Sequence, residues 1–225
     1  MTTRIVDLSQ RISAGLVTYP GLPAPTISSF LTRAESRSRY SPGTEFALDI
    51  ITMIGNTGTY LDSPFHRYEG GTDLAGLDLA TMVNLQTEVF HVAEAWSPLA
   101  RGIGAAHLAG RDVRGKAVLI HTGWDRHFGT EAYGHGAPFL NSEGTQALID
   151  AGAVLVGIDS LNIDDVESGG TRPAHSLLLA AGIHVVEHLT HLGELPESGA
   201  RFTAAPPAVE GFGTFPVRAF ALVEG

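Results

Sequence analysis

The chain has 225 residues, 44% hydrophobic and 17% charged, a balance that allows one large buried core. A formal net charge of −10 leaves no basic stripe to neutralise phosphates and argues against nucleic acid as a partner. Cysteine is absent, which excludes disulfides, thiolate nucleophiles and thiolate metal sites, so any metal must be held by His, Asp or Glu.

From the N-terminus, residues 1–10 lack the apolar core of a signal peptide. No apolar run approaches the ~18 residues that span a bilayer. A soluble, cytoplasmic protein with no membrane partner is therefore expected. Short apolar runs predict strands at 4–8, 26–31, 46–54, 88–92, 117–121, 154–158, 183–186 and 217–223. Two helices interrupt them. The first covers 145–151, with Ser142 as N-cap and Gly152 just beyond its end. The second starts at Pro173, whose fixed φ suits a first turn, and stops at Gly182. A strand follows each helix, and no repeat or linker divides the chain. The expected fold is α/β, a single domain over residues 1–225 with a mixed, strand-rich central sheet and flanking helices.

The most informative stretch runs Asn56-Thr-Gly-Thr-Tyr60-Leu-Asp62-Ser-Pro64-Phe-His66. Glycines permit sharp backbone turns, and Pro64 stiffens the chain just before His66. A carboxylate and an imidazole on such a loop suit either a reactive site or a tight turn capped by the aspartate.

Of the ten histidines, His91, His107, His127 and His135 lie in polar or glycine-rich surroundings and read as solvated. His121 ends an apolar strand, either lining a pocket mouth or simply satisfied there. His184-Val-Val-Glu187-His188 matches the H-x-x-E-H protease pattern, which requires a helix. Gly182 and the β-branched residues oppose that reading. In a strand, alternation sets Glu187 on the face opposite His184 and His188. Glu187 then sits at a strand end just after the helix that carries His175. Asp62, His175 and Glu187, if they converge, suit a divalent metal with open positions.

These segments resemble the cyclase superfamily, which contains bacterial kynurenine formamidases and isatin hydrolases. The resemblance spans most of the chain. It is carried by Val6-Asp-Leu-Ser9, Tyr19-Pro-Gly21, the 56–66 stretch, Val118-Leu-Ile-His-Thr-Gly-Trp124, Val156-Gly-Ile-Asp-Ser160, and His175 with Glu187, Leu189 and Leu192. It implies a swivelling β/β/α-type fold, a homodimer or homotetramer, and metal-dependent hydrolysis of a small amide, formamide or cyclic amide. Position by position, Asp62, His175 and Glu187 match metal ligands and His66 matches the general acid/base. Tyr19 falls where an aromatic residue contacts substrate.

The chain departs from the family signature H-x-G-[TA]-H-x-D-x-P-x-H at two places. Asn56 and Tyr60 replace its two metal-binding histidines. An amide oxygen and an un-ionised phenol are poor ligands, so at most one zinc or manganese ion is expected. Asn56 and Tyr60 would instead line the pocket as donors to substrate, with Tyr60 a second candidate in catalysis beside His66. Two alternatives are a metal-independent acid/base cyclase, dehydratase or isomerase using Tyr60 and His66, and a non-catalytic small-molecule binder.

Overall fold

Thirteen strands and three α-helices make up the structure, a computed structural model that describes residues 2–225. The strands are β1 (Thr3–Asp7), β2 (Thr26–Leu31), β3 (Leu48–Thr52), β4 (Tyr60–Asp62), β5 (Leu85–His91), β6 (Gly102–Ile103), β7 (Ala117–His121), β8 (Phe139–Leu140), β9 (Leu155–Ile158), β10 (His184–Glu187), β11 (Ser198–Thr203), β12 (Thr214–Pro216) and β13 (Phe220–Glu224). The helices are α1 (Arg33–Ser36), α2 (Ser142–Ala151) and α3 (Pro173–Ala180).

Nine strands form one mixed sheet in the order β1-β13-β11-β5-β7-β9-β10-β4-β12. Strands β5, β7, β9 and β10 are parallel, and those on either side pair antiparallel. Parallel neighbours need long crossovers, which α2 and α3 supply between β7, β9 and β10. Alternation sorts the side chains. Val118, Ile120, Val156, Ile158 and Val185 face the helices and pack with Leu148, Leu178 and Leu179. Their neighbours Val89, Leu119, Leu155 and Val186 face the other way, against Val6, Leu8, Phe202 and Ala221. The antiparallel wing thus curls over the second face, and the fold is the expected single α/β domain with a strand-rich mixed sheet.

Several expectations need correction. Asn141, not Ser142, caps α2: its side chain accepts from Gly144 N at 2.9 Å, and Ser142 is the first helical residue. The 217–223 run is not one strand, because β12 and β13 flank a break around Val217. The loop holding Asp62 contains β4, and β11 has no counterpart in the apolar runs.

Strands β2 and β3 form a separate hairpin-like sheet. Apart from the buried Leu31, its apolar side chains lie in solvent: Phe30 is 66% exposed, Ile27 50% and Ile51 48%. Among the described residues no helix is long and apolar enough to cross a membrane.

Candidate active site

Register explains how residues distant in sequence meet. In the β10–β4 pair Val185 faces Asp62 and Glu187 faces Tyr60, and in the β12–β4 pair Thr214 faces Asp62. Cross-strand partners share a face. Val185 lies on the helix-covered face, so Tyr60, Asp62, Glu187 and Thr214 also project there, toward the first turn of α3 and His175. Two glycines permit the close packing. A Cβ on Gly213 would fall on the His66 backbone, and one on Gly55 would fall on the Thr214 carbonyl.

Asp62, Glu187 and Asp164 are each at most 2% exposed, and His175 is 7% exposed. Asp164 holds His175 in place. Its carboxylate accepts from His175 Nδ1 at 2.7 Å and from the Ala174 and His175 amides, capping a helix whose Arg172 makes no side-chain cap. With Nδ1 donating, His175 Nε2 faces Asp62 Oδ2 at 3.4 Å and Glu187 Oε1 at 3.6 Å. Asp62 Oδ2 is buried without a hydrogen-bond partner. Asp62 Oδ1 accepts from the Thr214 hydroxyl. Thr214 Oγ1 in turn lies 2.6 Å from His66 Nδ1. The threonine proton is committed to Asp62, so His66 Nδ1 donates and Nε2 keeps its lone pair. His66 reaches the same cavity of about 430 Å³ as Tyr19, Asn56, Tyr60, Asn162 and Glu187.

Glu187 receives the Ile163 amide at 2.6 Å and the Tyr60 hydroxyl at 2.7 Å. Behind Tyr60 stands His188, with Nε2 3.2 Å from the phenol oxygen and Nδ1 2.8 Å from the Tyr133 hydroxyl. One set of directions satisfies every atom: Tyr133 donates to His188, His188 to Tyr60, and Tyr60 to Glu187. Strand alternation does not hold at His188. The strand ends at Glu187 and His188 adopts φ 57°, which turns its ring back to Tyr60. His184 points away and meets Thr81 Oγ1 at 2.8 Å.

Burial is the largest influence on all of these groups. It pushes the Glu187 carboxyl up to about 7, against the opposing pull of His175. Burial also acts against charge on His175, but Glu187, Asp164 and Asp62 outweigh it and raise its pKa well above the ordinary value. For Asp62, burial is outweighed by His175, His66 and Thr214, and its pKa falls below the usual carboxylate range. The Tyr60 hydroxyl is raised well above 10 by burial and by Glu187, so it stays protonated. Burial drops His188 to about 3, so it stays neutral.

This donor set fits a divalent cation. Three buried carboxylates surround one imidazole, and that leaves net negative charge even when the imidazole is protonated. An orphaned carboxylate oxygen and an Nε2 directed at two carboxylates both call for a positive centre. Asp62, His66 and His175 each offer a ligand atom within 4.8 Å of the others; Glu187 lies outside that group, with Oε1 3.6 Å from His175 Nε2.

The remaining histidines stand apart. His91 and His121 pair through their Nδ1 atoms at 2.8 Å, His107 accepts from the Gly104 amide, and His127 packs on Trp124. His107 and His135 are exposed, while His127 is half-buried. Asp159 binds Thr122 and Gly123, tying two of the recognised segments together inside the protein. Thr214, Asp164, Asn162, His188 and Tyr133 escaped the sequence reading. Only His188 carried a signal, as the last residue of the H-x-x-E-H string.

Fold and site together define a single-domain α/β protein with a buried carboxylate–imidazole centre of the kind that holds a metal in hydrolases. Residues 6–165 match the family model described as putative cyclase, and the chain belongs to that family. It is 30% identical over 217 residues to the kynurenine formamidase of Geobacillus thermodenitrificans, covering 95% of each. The kynurenine formamidase of Delftia acidovorans is 26% identical over 97% of each chain. An isatin hydrolase bound to the product analogue thioisatinate has the same fold, with a TM-score of 0.81 and 23% identity over 99% of this chain and 93% of that one.

Proposed function

We propose that this protein is a hydrolase that cleaves the C–N bond of a small amide, formamide or cyclic amide. It uses at most one divalent cation, zinc or manganese, held by Asp62, His175 and Glu187. The observation that carries this reading is His175, locked by Asp164 through Nδ1 while Nε2 faces both Asp62 and Glu187. A cation there, when bound, polarises a carbonyl oxygen.

The chain's own residues handle the protons. His66 Nε2 takes a proton from the attacking water, and the water oxygen bonds to the carbonyl carbon. The same nitrogen then delivers that proton to the departing nitrogen as the C–N bond breaks, so a formamide yields an amine and formic acid, which loses its remaining acidic proton to solvent as formate. Thr214 and Asp62 hold the His66 tautomer that makes this possible. Asn56 and Asn162 offer amide donors to the substrate, and Tyr19 lends an aromatic wall. Tyr60 stays protonated and acts by fixing Glu187 rather than as a base.

Hydrolysis of an aryl formamide panel, followed by absorbance of the released amine, tests this. Turnover should vanish after chelation and return with added zinc or manganese. Full turnover in chelator would replace the reading with metal-free acid/base chemistry, and no turnover on any substrate would favour a binding protein.

The same proposal covers assembly. The exposed Ile27, Phe30 and Ile51 of the hairpin suit burial against a second copy of this chain. Sedimentation should give twice 23.7 kDa or a higher multiple, and a monomer would refute it.

A further inference from the structure

The cavity has a cationic side that hydrolysis of a bare amide does not use. Arg67 and Arg172 both line it, next to the first turn of α3. Arg172 is anchored by donating Nη1 to the Asp165 and Thr171 carbonyls at 3.1 and 2.8 Å. Arg67 lies over the Tyr68 ring at 5.3 Å, with Nε 3.4 Å from the Ser176 hydroxyl. Arg172 and Ser176 lie one helical turn apart, so the two guanidinium groups flank the same stretch of wall.

Neither has a carboxylate partner among the described residues. Of the fourteen lysines and arginines, Arg4, Arg37, Arg101, Arg111, Lys116 and Arg218 each pair with one, leaving these two guanidinium groups among those free to meet an anion. What sets Arg67 and Arg172 apart is their place, since both line the one cavity that also holds His66 and His175. The one carboxylate lining that cavity, Glu187, is already engaged by Tyr60 and the Ile163 amide.

We infer that Arg67 and Arg172 form an anion subsite that binds a carboxylate carried by the substrate, so the cavity selects amides bearing a carboxylate over neutral ones. The planar guanidinium fork matches a carboxylate in geometry as well as charge. This substrate class rests on the hydrolase reading above, because the subsite lies in the same cavity as His66 and His175.

The test separates the two claims. Calorimetric titration of the full chain compares benzoate with its neutral counterpart benzamide and needs no turnover. Benzoate should bind at least ~10-fold more tightly, the scale of one charge-assisted hydrogen bond, and the R67Q/R172Q double variant should erase the difference. Equal affinities in the unmodified protein, binding of neither compound, or a preference that survives in the double variant would overturn the inference. On the kinetic side, the kcat/KM ratio of 2-formamidobenzoate to formanilide should fall ~10-fold or more in the double variant. A benzoate preference without any formamide turnover would sink the hydrolase and leave the subsite standing. Formamide turnover without that preference would do the reverse.

Discussion

Two groups of histidines lie at the same edge of the sheet, where the parallel strands end, yet their electrostatics are opposite. His91 and His121 sit side by side at the ends of β5 and β7, in register and sharing one hydrogen bond. Burial, followed by the neighbouring imidazole, lowers the pKa of His121. In the first turn of α3, beside the end of β10, His175 is more deeply buried, yet three carboxylates raise its pKa. An imidazole at a strand end is therefore not a site by itself. The carboxylates arranged around it decide whether it can join a metal centre.

Substitutions should expose this contrast. His66→Ala removes the proposed proton carrier and should lower kcat ~10²–10⁴-fold, while His91→Ala should leave kcat within ~2-fold. A comparable loss from His91→Ala would erase the distinction between the two groups. Tyr60→Phe deletes the donor to Glu187 and should weaken metal affinity or activity ~10–100-fold, read by metal titration alongside kinetics. Unchanged affinity and rate would leave the Tyr133–His188–Tyr60 chain without a role in the site.

His184 supplies a comparison in stability, away from the centre. Burial drops its pKa to about 4, against 6.5 for the ordinary group. A lowered folded-state pKa means its contribution is complete above 6.5 and is lost as pH falls toward 4. Between pH 7 and 5 the loss should be about 2 kcal/mol. Urea unfolding at both pH values should show a smaller drop for His184→Gln by about that amount, and an identical drop would refute it.

The sequence made the interior of the sheet legible because buried parallel strands are continuous apolar runs, as in 117–121 and 154–158. Strand β4 escaped because it is only three residues long and sits among glycines and polar residues. The pairing of His175 with Glu187 followed from the helix-then-strand order. Thr214 could not be read, since it reaches Asp62 only through cross-strand register across a separation of 152 residues. His188 was misplaced because period-two alternation assumes the strand continues, and a positive φ ends it there. The contribution of Asp164 was equally hidden, because capping from a preceding loop leaves no spacing rule.

The metal content of the purified protein bears most directly on the central claim. Elemental analysis after dialysis should find no more than one zinc or manganese per chain in the unmodified protein and close to none in Asp62→Asn. Two tightly held ions per chain, or an unchanged metal content in Asp62→Asn, would contradict a single centre built on Asp62, His175 and Glu187.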